Sequence, residues 1–219
     1  MSVVIPASAV LLDMDGTLVD SSAVVERIWG DWAREHGLDP AEVYPVVHGR
    51  RGWQSMAILL PERDTAVNHA DNRRLLERET REVEGIVEIA GAGELLRSLA
   101  DIPHALVTSA SLELARARMA AAGLGMPAQA VTAESVTASK PHPEGFLAGA
   151  AVLGVEPGEC VAFEDSHAGV AAAKAAGMRV IGVGAAAAGH GADWSVADLA
   201  GVHVSGRGAG FEITLDHVL

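Results

Sequence analysis

Residues 9–19 read AVLLDMDGTLV and decide the fold. The apolar run Val10–Leu12 predicts a short buried strand that ends at Asp13. Asp13 and Asp15 are two residues apart, so both carboxylates leave the strand end on the same side, and Gly16 allows a sharp turn after them. Carboxylates between two apolar segments are costly unless a cation or a reaction uses them. We therefore expect a metal-assisted site with Asp13 as the nucleophile.

Composition restricts the kind of partner. The chain has 219 residues, of which 49% are hydrophobic and 21% charged, and this is typical of a globular protein. Its formal net charge is −13, which disfavours nucleic acid and anionic membrane surfaces as partners. The same charge would repel a phosphorylated substrate. A phosphate site in this chain therefore needs local cations, namely a metal ion and a few Lys or Arg side chains.

The single cysteine and the N-terminus indicate no export. Cys160 is alone, so an internal disulfide is impossible, and its apolar neighbours favour an inert core position. The first residues carry no Lys or Arg before an apolar run that ends in two acids, which argues against a signal peptide. No apolar stretch reaches the length of a membrane span. We expect a cytoplasmic protein.

Residues 20–85 are predicted to be all-helical. Apolar spacing and terminal Gly, Pro and Ser residues predict helices over 23–36, 40–47, 53–60 and 64–84. The last of these is highly charged and is interpreted as a helix with one solvated face. The tryptophans of this segment are expected to pack inside it, although one of them could line a substrate pocket: Trp29, Trp32 and Trp53.

After residue 86 the pattern changes to alternating strands and helices, which predicts a parallel α/β sheet with helices on both faces. The strands are expected at 104–107, 130–132, 160–163 and 179–183, with weaker candidates at 194–196, 202–204 and 211–215. The helical segment 20–85 leaves the carboxyl end of the first strand, which is the edge where ligands bind in open α/β sheets. It is therefore a candidate cap over Asp13.

Further polar groups follow separate predicted strands: Thr108-Ser109, Lys140 and Glu164-Asp165. Together with Asp13 and Asp15 they match the needs of phosphoryl transfer. Mg²⁺ would offset the repulsion between a carboxylate and a phosphate, and Lys140 and Thr108 would hold the phosphoryl oxygens. Asp13 would form an aspartyl-phosphate, while Asp15 would protonate the leaving oxygen and later deprotonate water.

Each of these signals alone has an ordinary structural interpretation. An Asp-x-Asp-Gly run is often only a turn, Lys140 before Pro141 is more often an exposed loop lysine, and Glu164-Asp165-Ser166 could simply cap a helix. Their occurrence in order, each at or after a strand end, favours a common site.

The chain resembles the haloacid dehalogenase superfamily over nearly its whole length. The resemblance rests on four motifs, Asp13–Thr17, Val107–Ser109, Ser139–Pro141 and Phe163–Ser166. It implies a Rossmann-like core of residues 1–19 and 86–219 with an all-helical cap of residues 20–85. It also implies Mg²⁺ held by Asp13, Asp165 and the carbonyl of Asp15, with Glu164 in or beside that shell. Phosphate would be held by Thr108 and Lys140, and the adjoining Thr17 and Ser109 are candidate substrate contacts.

Differences within the superfamily narrow the expectation. Dehalogenases lack the second aspartate, the β-phosphoglucomutase branch carries a histidine early in the cap, and phosphonatases use a cap lysine. This chain has Asp15, no histidine between Asp15 and His36, and no lysine in 20–84. The stretches 48–51 and 139–144 are similar to those of glycerol-phosphate and 2-deoxyglucose-phosphate phosphatases. Ser139 stands where the third motif usually has Gly.

The sequence thus predicts a phosphatase of a small sugar or polyol phosphate, in a monomer or weak dimer. The candidate substrate residues of the cap are His48, Gly49, Arg50 and Arg51, although solvated loop arginines are an equal alternative. A phosphosugar mutase and a non-catalytic binding protein are the other hypotheses that we weigh.

Overall fold

The computed structural model describes residues 2–47, 51–208 and 210–219, and these residues form eleven strands and eight α-helices. The strands are β1 (Val3–Ala7), β2 (Ala9–Leu12), β3 (Val19–Asp20), β4 (Val87–Glu88), β5 (His104–Val107), β6 (Ala130–Val131), β7 (Cys160–Glu164), β8 (Arg179–Val183), β9 (Trp194–Val196), β10 (Val202–Arg207) and β11 (Gly210–Leu215). The helices are α1 (Ser22–Glu35), α2 (Pro40–Val47), α3 (Gly52–Leu59), α4 (Thr65–Arg81), α5 (Ala92–Ser98), α6 (Leu112–Ala121), α7 (Glu144–Leu153) and α8 (His167–Ala175).

A six-stranded parallel sheet forms the centre, in the order β6-β5-β2-β7-β8-β9. Strand β2 is fully buried, and its side chains alternate between the two faces of the sheet. Val10 and Leu12 join one apolar cluster, whereas Ala9 and Leu11 join another. This two-sided burial explains the continuous apolar run of the sequence. The predicted α/β class with a Rossmann-like parallel core is confirmed.

The helices α1–α4 follow one another between β2 and β5, and the chain enters and leaves them through neighbouring strands. Strands β3 and β4 pair antiparallel, with Val19 opposite Glu88. Within this segment α1 packs on α2 and α4, α3 packs on α4, and α4 also packs on α6. The α4–α6 contact places the helical segment against the part of the chain that carries the predicted phosphate-binding motif.

Strand β1 contains Pro6. It lies at the end of the order β1-β11-β10 of a small antiparallel sheet, and an end position tolerates a residue without an N–H. Helix α4 is solvated along much of its length, yet Glu79 is only 6% exposed, so the solvated-face interpretation is wrong for that residue. Among the described residues no helix is long and apolar enough to cross a membrane.

Candidate active site

Asp13 lies directly after β2, at the edge where the parallel strands end. Its N–H donates to the carbonyl oxygen of Phe163 at 3.0 Å, so β2 and β7 fix its position. The chain then turns at Gly16, whose φ of 85° is a conformation that glycine adopts at little cost. A Cβ on Gly16 would lie 2.0 Å from Oδ2 of Asp165. The turn therefore requires glycine both for its backbone angle and for the close approach of Asp165.

Lys140 reaches into the same edge and forms what we call the Lys140 cluster, consisting of Lys140, Asp13 and Glu164. Its Nζ donates to Oδ1 of Asp13, to Oε1 of Glu164 at 2.5 Å and to the carbonyl oxygen of Val107 at 3.1 Å. All three donors of the ammonium group are thus used. The three side chains of this cluster are at most 8% exposed, so the ion pairs are buried.

Burial and charge act in opposite directions on these groups. Burial raises the pKa of Asp13 to about 7, against the attraction of Lys140. Burial alone would lower the pKa of Lys140, but the attraction of Asp13 and Glu164 outweighs it and raises this pKa. The ammonium group therefore stays charged, and Asp13 is a carboxylate that needs nearby cations.

A metal ion fits the acidic groups at this edge. Carboxylate oxygens of Asp13, Glu164 and Asp165 lie within 4.8 Å of one another. Burial, followed by repulsion from Asp13 and Glu164, raises the pKa of Asp165 to about 9. Oxygen donors of this kind suit Mg²⁺, whose charge would stabilise the ionised carboxylates.

Glu164 is already held by hydrogen bonds from Lys140 and Ser166. Its Oε1 accepts from Lys140, and its Oε2 accepts from the N–H of Ser166 at 3.0 Å and from Oγ of Ser166 at 3.1 Å. Its side chain is fully buried. These contacts orient Lys140, and Asp13 and Asp165, unlike Glu164, line the neighbouring cavity.

Asp15 belongs to a second group, the Arg118 cluster, formed by Asp15, Arg118 and Glu79, in which the Asp15 side chain is 29% exposed and the other two are buried. Nη1 of Arg118 donates to Oδ2 of Asp15 at 2.7 Å, and Nη2 donates to Oε2 of Glu79 at 2.6 Å. Ser21 donates its hydroxyl to Oδ1 of Asp15 at 2.7 Å, and the indole N–H of Trp29 donates to Oε1 of Glu79 at 3.1 Å. Asp15 is thus held from both sides.

A cavity of about 330 Å³ connects the two clusters. The predicted site residues that line it are Asp13, Asp15, Arg51, Thr108, Ser109 and Asp165. Lys140 lines a small adjoining space with Thr108 and Arg51. The volume is at the small end of the range for ligand sites, which suits a small metabolite.

The cavity wall contributed by the helical segment is mostly apolar, with a few polar groups. Its members include Val25, Trp29, Trp53, Asn72 and Leu75. The sequence left open whether a tryptophan of this segment lines a pocket. In the structure Trp29 and Trp53 line the cavity, whereas Trp32 is buried at 1% exposure.

The remaining predicted substrate residues differ in their placement. Thr17 is fully buried, its hydroxyl has no hydrogen-bond partner among the described residues, and it is not part of the cavity wall. Nη2 of Arg51 donates to the carbonyl oxygens of Ala133 and Val136 at 2.8 and 2.9 Å. Arg51 therefore links the helical segment to the loop after β6 as well as lining the cavity. His48, Gly49 and Arg50 lie outside the described residues.

Sequence reasoning missed Arg118, Glu79 and Ser21. Arg118 stands in an alanine-rich helix, and Glu79 is one of many charged residues in α4. Ser21 directly precedes α1, and its hydroxyl is interpreted from the sequence as a helix cap. No local pattern distinguishes Glu79 and Arg118 from solvated residues, because they are 39 positions apart in the sequence.

A parallel sheet with a buried carboxylate, a buried lysine and an acidic cluster at its carboxyl edge is the arrangement of an α/β enzyme. The family model described as haloacid dehalogenase-like hydrolase matches residues 7–177. The chain belongs to this family.

Characterised relatives act on phosphate esters. Hexitol phosphatase A of Escherichia coli K12 is 48% identical over 179 residues, covering 81% of this chain and 83% of the relative. Glycerol-1-phosphate phosphohydrolase 2 of Saccharomyces cerevisiae is 33% identical over 187 residues, covering 80% and 74%. The structure of β-phosphoglucomutase from Clostridium difficile superposes with a TM-score of 0.79 over 89% of this chain and 92% of that chain. Its 22% identity supports the fold alone.

Proposed function

We propose that this protein is a Mg²⁺-dependent phosphatase that hydrolyses the phosphate monoester of a small sugar or polyol through an aspartyl-phosphate. The observation that carries the proposal is the Lys140 cluster, which sets a buried carboxylate and a fixed ammonium group beside the cavity. The 48% identity to a hexitol phosphatase supports the substrate class. Residues 20–85 act as a cap that closes this cavity.

In the first step, an oxygen of Asp13 attacks phosphorus while the bond from phosphorus to the ester oxygen breaks. The electron pair of that bond goes to the ester oxygen, which takes a proton from the carboxyl of Asp15 and leaves as an alcohol. Lys140 places its positive charge beside the phosphoryl oxygens, and the hydroxyl of Thr108 donates to them. The N–H of Ala110 donates to Oγ1 of Thr108 at 3.1 Å and fixes that hydroxyl.

In the second step, water attacks the phosphorus of the aspartyl-phosphate. The carboxylate of Asp15 takes a proton from this water, the bond from phosphorus to Asp13 breaks, and Asp13 returns as a carboxylate beside free phosphate. Bound Mg²⁺, held by Asp13, Asp165 and the carbonyl of Asp15, would supply charge that offsets repulsion between carboxylate and phosphate.

The cavity chemistry fits a small polyhydroxylated substrate. Asn72 and Glu134 offer polar contacts for hydroxyl groups, and the indole rings of Trp29 and Trp53 can cover the carbon chain. A monomer or weak dimer is sufficient for this activity, since all of these groups come from one chain.

A panel of phosphate monoesters with Mg²⁺ tests the proposal. We expect phosphate release from hexitol or glycerol phosphates, and we expect Asp13→Asn to lower it by at least about 10³-fold because the nucleophile is lost. Far-UV circular dichroism of the variant should match the wild type. Wild-type turnover by Asp13→Asn would contradict the nucleophile assignment. Conversion of glucose 1-phosphate with a bisphosphate activator, without net phosphate release, would instead indicate a mutase.

A further inference from the structure

The Arg118 cluster connects Asp15 with the helical segment. Arg118 lies on α6, Asp15 follows β2, and Glu79 lies on α4, so one guanidinium group bridges three separate parts of the chain. Side-chain exposure is 6% for Arg118 and 8% for Glu79, which is rare for charged residues unless they are paired. The distances of 2.6 and 2.7 Å are those of charge-assisted hydrogen bonds.

Glu79 is needed to keep Arg118 in place. Asp15 alone could attract the guanidinium group, but the group would then be free to turn about the single contact. With Glu79 on Nη2 and Asp15 on Nη1, the planar fork of Arg118 has both ends fixed. Trp29 in turn fixes Glu79 through its indole N–H. The orientation of Asp15 thus depends on residues of α1 and α4.

We propose that Arg118 and Glu79 are positioning residues that hold the carboxyl of Asp15 towards the leaving-group oxygen when α4 lies against α6. Arg118 touches Asp15 and acts through it, and Glu79 acts through Arg118. When the helical segment moves away, Arg118 loses Glu79 and Asp15 loses its fixed orientation. The proposal rests on the proposed function, in which Asp15 is the acid of the first step.

The nature of the leaving group distinguishes misorientation of Asp15 from general damage to the site. An alkoxide leaves poorly without a proton, whereas p-nitrophenolate is a weak base that leaves without one. Loss of Asp15 orientation should therefore slow the release of an alkyl alcohol more than the release of p-nitrophenolate. Damage to the nucleophile or the phosphate site would slow both by the same factor.

The experiment measures single-turnover alcohol release by Glu79→Gln with Mg²⁺. The substrates are p-nitrophenyl phosphate and the alkyl phosphate that the wild type hydrolyses fastest. We expect a decrease of about tenfold or more for the alkyl ester and of less than about threefold for the aryl ester. Asp15→Asn should show the same selectivity more strongly.

Asp71→Asn is the matched control, because it removes a similar contact that stays within the helical segment. Asp71 accepts from the indole N–H of Trp32 at 3.1 Å and from Nη2 of Arg63 at 2.7 Å. We expect this variant to change both rates by the same factor. If Glu79→Gln does not fold, Glu79→Asp shortens the side chain that pairs with Arg118 and should give the same selectivity to a smaller extent.

Equal slowing of both esters by Glu79→Gln, or no slowing of either, would overturn the positioning proposal while leaving the phosphatase intact. Absence of phosphate release by the wild type from both esters would instead refute the proposed function.

Discussion

The Lys140 cluster and the Arg118 cluster beside the cavity arise from different parts of the chain. In the Lys140 cluster the two carboxylates lie at or directly after the ends of neighbouring strands β2 and β7, and Lys140 comes from the loop before α7. In the Arg118 cluster the members come from a turn and two helices, one of them in the segment 20–85. The first group is held by the sheet, whereas the second depends on how α4 packs on α6. The Lys140 cluster thus belongs to the sheet, whereas the geometry of the Arg118 cluster depends on the helical segment.

Breaking the Lys140 cluster should have the largest effect. Lys140→Met leaves Asp13 and Glu164 buried without their cation, and we expect the free energy of unfolding to fall by about 3 kcal/mol in Mg²⁺-free buffer. Turnover with Mg²⁺ should fall by about 10²-fold or more because the phosphoryl oxygens lose a fixed charge. Urea unfolding and phosphate release measure the two effects.

Lys174→Met is the control for that variant. Lys174 pairs with Asp193 at 2.5 Å, but its side chain is 41% exposed, so the loss should be below about 1 kcal/mol. Equal urea midpoints for Lys140→Met and the wild type would show that the buried pair contributes nothing net.

The difference between the clusters also explains which site residues could be predicted from the sequence. Parallel strand ends meet at one edge, so Asp13, Thr108 and Asp165 could be placed together from the apolar runs that precede them. No comparable rule predicts which side chains meet where two helices pack together. Glu79 and Arg118 are 39 positions apart, and their pairing depends on side-chain packing that the sequence pattern does not contain. For the same reason, the solvated-face interpretation is wrong at Glu79, whereas Arg73, Arg74 and Glu77 on the same helix are exposed as predicted.

The second prediction concerns the three carboxylates that could hold Mg²⁺, namely Asp13, Glu164 and Asp165. Mg²⁺ should raise the unfolding temperature, because binding to the native state at 100 times the dissociation constant stabilises it by about 2.7 kcal/mol. Asp165→Asn should remove half or more of this increase, since it takes one of the carboxylates from the cluster of oxygens. Differential scanning fluorimetry with and without EDTA measures the shift.

Asp193→Asn is the matched variant for the magnesium experiment, because Asp193 pairs with Lys174 away from the cavity. It should keep the full Mg²⁺-dependent increase. A full increase in Asp165→Asn as well would place the metal elsewhere.

The smallest expected effect concerns a contact that joins the helical segment to the core but touches neither cluster. Oγ of Ser139 donates to Oε1 of Gln54 at 2.8 Å. Ser139→Ala removes one neutral hydrogen bond, so we expect a loss of about 1 kcal/mol in stability and a change in KM below about threefold. Ser98→Ala, which removes a hydroxyl contact to Leu95 inside α5, is the control. A tenfold or greater increase in KM for Ser139→Ala alone would mean that closure of the helical segment depends on this contact rather than on the Arg118 cluster, and the contrast between the two clusters would then lose its functional meaning.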